Sequence, residues 1–299
     1  MVIAANWQRG SVEVLGGHLT YHRTVGPGPI LVLSHGLTDN GLCWRRFAQA
    51  MAGQADIVML DARGHGVSTR VVEGNPFDPG EDIASVIGHL ALNNPIVMGH
   101  SVGALATAGF AAAHPGRAAL VILEDPPLMP VATPPERAAR RERFRLQVAS
   151  LQAMSDDELL ELGRTQSPDW HEDEFPDWVQ SKRQVDPYAL PNDDTAWQST
   201  LAKIDVPILL LCGETQRGAL VSPEQAEQAA RINPRLEVSH VAGAGHNIRR
   251  DNFEGYLAAI RQFLQKHQKF NNAGVGYAVS RSGKGGTSGS VGTEPLDPD

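Results

Sequence analysis

Residues 95–106 read Pro95-Ile96-Val97-Met98-Gly99-His100-Ser101-Val102-Gly103-Ala104-Leu105-Ala106. An unbroken apolar run, Pro95 to Met98, meets a Gly-His-Ser-Val-Gly turn and then a small-residue segment of helical character. Continuous apolar runs fit strands buried on both faces of a parallel sheet. A serine flanked by glycines two residues before and after, where such a strand passes into a helix, fits a nucleophile elbow. The turn is sharp and its backbone strained, so bulk at Gly99 and Gly103 is excluded. It exposes the Ser101 hydroxyl and sets the Val102 N–H at a helix N-terminus, where a developing oxyanion is stabilised.

The surrounding chain supports the same architecture. Runs at Ile30 to Ser34, Ile57 to Leu60, Leu120 to Leu123, Val206 to Cys212 and Leu236 to Val241 read as strands. Segments Cys43 to Met51, Glu81 to Leu92, Val102 to Ala113, Ser222 to Arg231 and Asn252 to Phe270 read as helices. Ser11 to Val14 and His18 to Thr24, joined at Gly16-Gly17, form an opening hairpin. Strand and helix alternate, which predicts an α/β fold with a mostly parallel, eight-stranded twisted sheet flanked by helices. After the sixth strand the pattern changes. Prolines cluster from Pro126 to Pro135, an arginine-rich helix covers Pro135 to Ser150, and Ser155 with Glu158 fits a capping box. Residues 126–202 are therefore a helical insertion, long enough to be a lid, while 1–125 and 203–270 form the core. The Gly/Ser-rich residues 271–299 hold few apolar side chains and are expected to be disordered.

Composition narrows the function classes. With 26 Lys+Arg against 34 Asp+Glu, the net charge of −8 argues against nucleic acid as a main partner. Two cysteines, Cys43 and Cys212, both in apolar stretches, exclude a disulfide framework and a Cys-rich metal site. No apolar run reaches the ~18 residues of a membrane span, and no signal peptide is visible, so a soluble cytoplasmic protein is expected. Neither His-x-His nor His-Glu-x-x-His occurs, and no metal or cofactor is expected.

A serine nucleophile needs a base, oxyanion donors and an acid. His246, in the glycine loop Ala242-Gly243-Ala244-Gly245-His246-Asn247 between a strand and the final helix, can be presented at the carboxyl edge of the sheet. The other histidines fall in the hairpin, on flanking helices, within a strand or near the chain end. Ser34-His35-Gly36-Leu37 ends the third strand, and the Leu37 N–H is the second candidate oxyanion donor beside Val102. His35 reads first as a structural hydrogen-bonding residue. His35, Gly36, Trp44, His100 and Trp178 are the candidates for lining a substrate site. The arginine run of the Pro135 helix reads as a solvated face partnered by Glu136 and Glu142.

Together Ser34-His35-Gly36, Asp61-Ala62-Arg63-Gly64-His65-Gly66-Val67-Ser68, Gly99 to Gly103 and Gly243 to His246 resemble the α/β-hydrolase superfamily in its lidded form, over about Ser11 to Phe270. The resemblance implies a Ser-His-acid triad and fixes no substrate. In many members the acid follows the next-to-last strand, a position that falls here on Gln216, which cannot stabilise an imidazolium by charge. A minority, pancreatic-type lipases and zearalenone lactonases among them, place it one strand earlier. Here that strand end reads Leu123-Glu124-Asp125-Pro126. Side chains alternate faces along a strand, so only one of Glu124 and Asp125 can easily point at His246; the resemblance, through the lipase-like Asp125-Pro126 step, favours Asp125 over Glu124, with Glu214 a distant third. The resemblance implies a cofactor-free serine hydrolase of a small-molecule ester or lactone, monomeric or homodimeric. Carbon–carbon hydrolysis of a ring-fission product, cofactor-free haloperoxidation or perhydrolysis, and a ligand receptor with weak hydrolysis remain open. Haloalkane dehalogenase and epoxide hydrolase chemistry would need a carboxylate in place of Ser101.

Overall fold

The computed structural model describes residues 7–191 and 195–267, so the segment 271–299 lies outside the described residues. The strands are β1 (Gln8–Val14), β2 (Gly17–Arg23), β3 (Ile30–Ser34), β4 (Asp56–Leu60), β5 (Ile96–His100), β6 (Leu120–Glu124), β7 (Ile208–Cys212) and β8 (Leu236–His240). They form one sheet in the order β1-β2-β4-β3-β5-β6-β7-β8. β1 pairs antiparallel with β2, and β2 antiparallel with β4. Every pairing from β4 to β8 is parallel.

The apolar runs are continuous because both faces of the sheet are covered. Val32, Val97, Val121, Leu123, Ile208 and Leu210 enter one core layer; their strand neighbours Leu31, Leu33, Ile96, Met98, Leu120, Ile122 and Leu209 enter the other. This is the period of two that a pleated strand imposes. Helices α1 (Arg45–Ala50), α2 (Pro79–His89) and α3 (Val102–Ala113) follow in chain order. α2 and α3 pack on the first layer and α1 on the second.

Between β6 and β7 lie α4 (Pro134–Ala153), α5 (Asp156–Gln166), α6 (Phe175–Arg183) and α7 (Trp197–Ala202). The capping box at Ser155 forms as its residue types predict: the Glu158 carboxylate accepts from Ser155 N–H at 2.7 Å, and Ser155 Oγ accepts from Glu158 N–H at 3.2 Å. The insertion differs from expectation at its end. α7 belongs to the core, because Trp197 and Leu201, one turn apart, bury against the layer that holds α3. The fold closes with α8 (Pro223–Ile232), α9 (Ile248–Asp251) and α10 (Phe253–Lys266). No helix among the described residues is long and apolar enough to cross a membrane. The parallel register brings the ends of β3, β5 and β6 to one edge, with Ser34 beside Gly99 and His100 beside Glu124.

Candidate active site

Ser101 sits at that edge, between β5 and α3, with φ 55° and ψ −123°. This region is costly for a residue with a Cβ, and the surroundings enforce it. Ser101 N–H donates to Glu124 O at 2.9 Å, which clamps the turn to the neighbouring strand. A Cβ on Gly99 would lie 2.2 Å from Gly103 O, and one on Gly103 would lie 2.4 Å from His35 O. Both glycines are therefore required by backbone-to-backbone packing.

Asp125 follows the last residue of β6 at φ 41° and is fully buried. Its Oδ1 accepts from Val221 N–H at 3.0 Å and its Oδ2 from Leu220 N–H at 2.8 Å. Oδ2 also lies 2.7 Å from His246 Nδ1, and His246 Nε2 lies 3.1 Å from Ser101 Oγ. A carboxylate can only accept, so Nδ1 carries the proton and Nε2 is left to accept from the serine hydroxyl. Ser101, His246 and Asp125 thus form one chain of hydrogen bonds from 145 residues of sequence separation.

Glu124, the second acid candidate, points elsewhere. Its Oε1 accepts from Arg249 N–H at 3.0 Å and lies 3.3 Å from Arg249 Nη1. Burial pushes the Glu124 carboxyl up, against the opposing pull of Arg249. Glu214 is also engaged away from His246, accepting from Gly243 N–H at 2.8 Å. Gln216 is exposed and donates to Glu214 at 3.2 Å.

A cavity of about 810 Å³ opens over Ser101, and both Leu37 and Val102 line it. Val102 is the first residue of α3, so its N–H has no partner within the helix. The other expected lining residues do not reach the cavity wall. His35 is buried, accepting at Nε2 from Ala62 N–H at 3.0 Å while Nδ1 lies 2.8 Å from Gly36 O. Gly36 packs against the ring of His100, whose Nε2 donates to His246 O at 2.9 Å. His100 therefore supports the backbone of His246. Trp44 is fully buried in the core beneath the Arg249 guanidinium. Trp178 packs edge-on to Trp170 and under Lys182. In their place Phe77, Leu128, Phe144 and Trp197 contribute apolar wall.

Two further features differ from the sequence reading. Arg140 and Arg143 of α4 line the cavity, so this helix face is not wholly solvated. Arg145 pairs with Glu142 at 2.6 Å as expected, and Glu136, which feels the charge of Arg140, also accepts from Thr133 N–H at 2.7 Å and closes the helix start. The second feature, absent from the candidates above, is a buried charge network. Asp39, two residues past Leu37, meets Arg249 Nη2 and Arg250 Nη1 at 3.0 Å each and Lys182 Nζ at 3.9 Å. Arg250 also pairs with Glu174 at 3.1 Å. Burial alone would raise the Asp39 carboxyl; Arg250, Lys182 and Arg249 overcome it and hold it far below the ordinary carboxylate range. The network ties the loop holding Leu37 to α6 and to the segment after His246. Its one local signal in the sequence is the doublet Arg249-Arg250 immediately following the His246 loop. No trio of His, Cys, Asp or Glu among the described residues is placed to hold a metal ion.

Residues 31–259 match the α/β hydrolase family. The N-formylmaleamate deformylase of Pseudomonas putida is 27% identical over 270 residues, spanning 85% of this chain and 96% of that protein. The 2-(acetamidomethylene)succinate hydrolase of Mesorhizobium japonicum is 27% identical over 267 residues, spanning 83% of this chain and 92% of its own. Among solved structures, an E-2-(acetamidomethylene)succinate hydrolase superposes with a TM-score of 0.74 at 21% identity, covering 87% of this chain and 100% of the other.

Proposed function

From the premise that the chain belongs to the α/β hydrolase family, we propose that it is a serine hydrolase cleaving a carboxylic ester or lactone through an acyl-enzyme. The observation that carries this reading is the hydrogen-bonded series Ser101 Oγ, His246 Nε2, His246 Nδ1, Asp125 Oδ2, at 3.1 and 2.7 Å, opening into the cavity. His246 removes the Ser101 proton as Oγ attacks the carbonyl carbon. The Leu37 and Val102 N–H groups bind the oxyanion. Asp125 keeps His246 in the Nδ1–H tautomer and stabilises the imidazolium. The proton passes from Nε2 to the departing alkoxide. Water, activated by the same nitrogen, then releases the acid and restores Ser101.

A second reading is hydrolysis of an amide whose substrate carries a carboxylate. Both relatives bear names of N-acyl compounds with carboxyl groups, and Arg140 and Arg143 bring positive charge to the cavity. The same series would serve, with an amine as leaving group.

The test combines labelling by a fluorophosphonate with turnover of esters, lactones and N-acyl amides. Labelling at Ser101, and at least a 10⁴-fold loss of turnover in Ser101→Ala, are expected. Persistent labelling in Ser101→Ala overturns the assignment of the nucleophile. Turnover of amides with none of esters selects the second reading.

A further inference from the structure

The cavity over Ser101 extends well beyond any point at which a carbonyl could be attacked. From Val102 it follows the outer face of α3 through Leu105 and Gly109 to Ala112. α2 contributes lining and so does α7, each packed on α3. Ser101 and Gly109 are eight positions apart, about 12 Å along a helix, which is the reach of an extended chain of roughly ten carbons. No residue of α3 that lines the groove has a polar side chain. The wall facing α3 is mixed: Arg140 and Arg143 of α4 and Lys203 after α7 line it, as does Glu81 of α2, which bonds His114 just past α3 at 2.9 Å. A volume of about 810 Å³ lies toward the upper end of small-molecule sites and exceeds what a formyl or acetyl group would fill.

We propose that this groove is the acyl subsite, and that the substrate class is an ester of a medium- to long-chain fatty acid, with its carbonyl at Ser101 and its alkyl chain laid along α3. The inference rests on the serine-hydrolase reading and adds the chain to it. The occupant follows from continuity: the groove begins at Ser101 and is lined along α3 by alkyl side chains and glycine, Leu105, Gly109 and Ala112 among them. A chain there gains contact with every added methylene until it passes the end of α3.

Gly109 supplies the test. A Cβ built at this position meets no atom within 4 Å, so Gly109→Leu fills the groove rather than the core. Leucine also favours the helix over glycine, so the variant is expected to fold. In the wild type, kcat/KM for p-nitrophenyl esters from acetate to hexadecanoate should rise with acyl length, by up to about fourfold per methylene, and level off near twelve carbons. In Gly109→Leu the ratio of decanoate to acetate kcat/KM should fall at least tenfold, and in Gly109→Ala only slightly. Decanoic acid binding by calorimetry, which needs no turnover, should weaken at least tenfold in Gly109→Leu. A flat acyl profile with normal acetate turnover overturns the groove and leaves the hydrolase reading intact. A length dependence confined to alkyl acetates, the alcohol side, also overturns it. Absence of fluorophosphonate labelling in the wild type counts instead against the hydrolase reading, and absence of decanoate binding to the folded wild type counts against the groove by itself.

Discussion

Ser101 and Asp125 each follow the last residue of neighbouring strands with positive φ, 55° and 41°, and the Ser101 N–H is bonded to the carbonyl of Glu124, the residue before Asp125. Two strained residues side by side persist only when the fold over-determines them. Here each strand end is turned so that its side chain leaves the pleat and meets His246. The arrangement predicts a specific kinetic signature. Asp125→Asn preserves size and one carbonyl oxygen but removes the charge opposite the imidazolium. It should lower kcat by about 10⁴ while changing KM little, since the carboxylate does not line the cavity. A small effect on kcat would remove Asp125 from the reaction.

Glu124 should fail differently. It is buried against Arg249, and its loss leaves that buried guanidinium with Asp39, a carboxylate it shares with Arg250 and Lys182. Glu124→Ala should lower unfolding free energy by about 3–5 kcal/mol, read by urea denaturation, with a smaller loss of kcat than Asp125→Asn. Should Glu124→Gln abolish turnover at unchanged stability, the carboxylate would be acting on His246 rather than on Arg249.

The charge network around Asp39 gives a paired prediction. Three cations converge on this one carboxylate, so Asp39→Ala leaves them mutually repelling and should cost about 3–5 kcal/mol. Lys182 is the opposite case. Burial draws its ammonium down to about 8, against the pull of Asp39, so the charged form is held at a cost. Lys182→Met keeps the stem and discards the charge, while Arg249 and Arg250 still satisfy Asp39. Its effect on the melting temperature should be much smaller. Equal losses in the two variants would contradict this division of roles.

The sheet was legible because its signals are local: apolar runs of five residues, glycines around Ser101, a capping box at Ser155. Ser101 and His246, which the structure brings within 3.1 Å of each other, could be singled out for the same reason, each lying in a short loop with glycines. The choice between Glu124 and Asp125 rests on a backbone turn at Asp125 that residue types alone do not encode. The wall of the cavity was less legible still. Trp44 and Trp178 have the right chemistry for a substrate site, but helix docking turns them into the core and onto Lys182. Docking likewise aims Arg140 and Arg143 of α4 at the cavity. The Asp39–Arg249 pair joins residues 210 positions apart, beyond the reach of any spacing argument.

The buried histidines predict how stability depends on pH. His35, His65 and His100 are all lowered from the ordinary value of 6.5, in each case first by burial. At His65 the neighbouring His35, 4.8 Å away ring to ring, adds to the effect; at His100 Arg249 does. In the unfolded chain these rings take up protons near pH 6.5, whereas in the folded protein they stay neutral to lower pH. At these rings the unfolded state therefore binds more protons below 6.5, and their contribution to unfolding free energy falls as pH falls through that region. Each ring contributes a slope of up to about 1.4 kcal/mol per pH unit. Asp39 adds its own loss only in stronger acid, because its unfolded value is 3.8. In urea denaturation between pH 7.5 and 5, Glu124, raised by burial, works in the opposite direction, so the share of one ring is read as the difference between the wild type and a variant lacking it, a difference that opens below pH 6.5. His65→Gln, remote from the cavity lining, supplies that variant. A difference that stays constant down to pH 5 would mean that this ring protonates in place, and that burial does not hold it neutral.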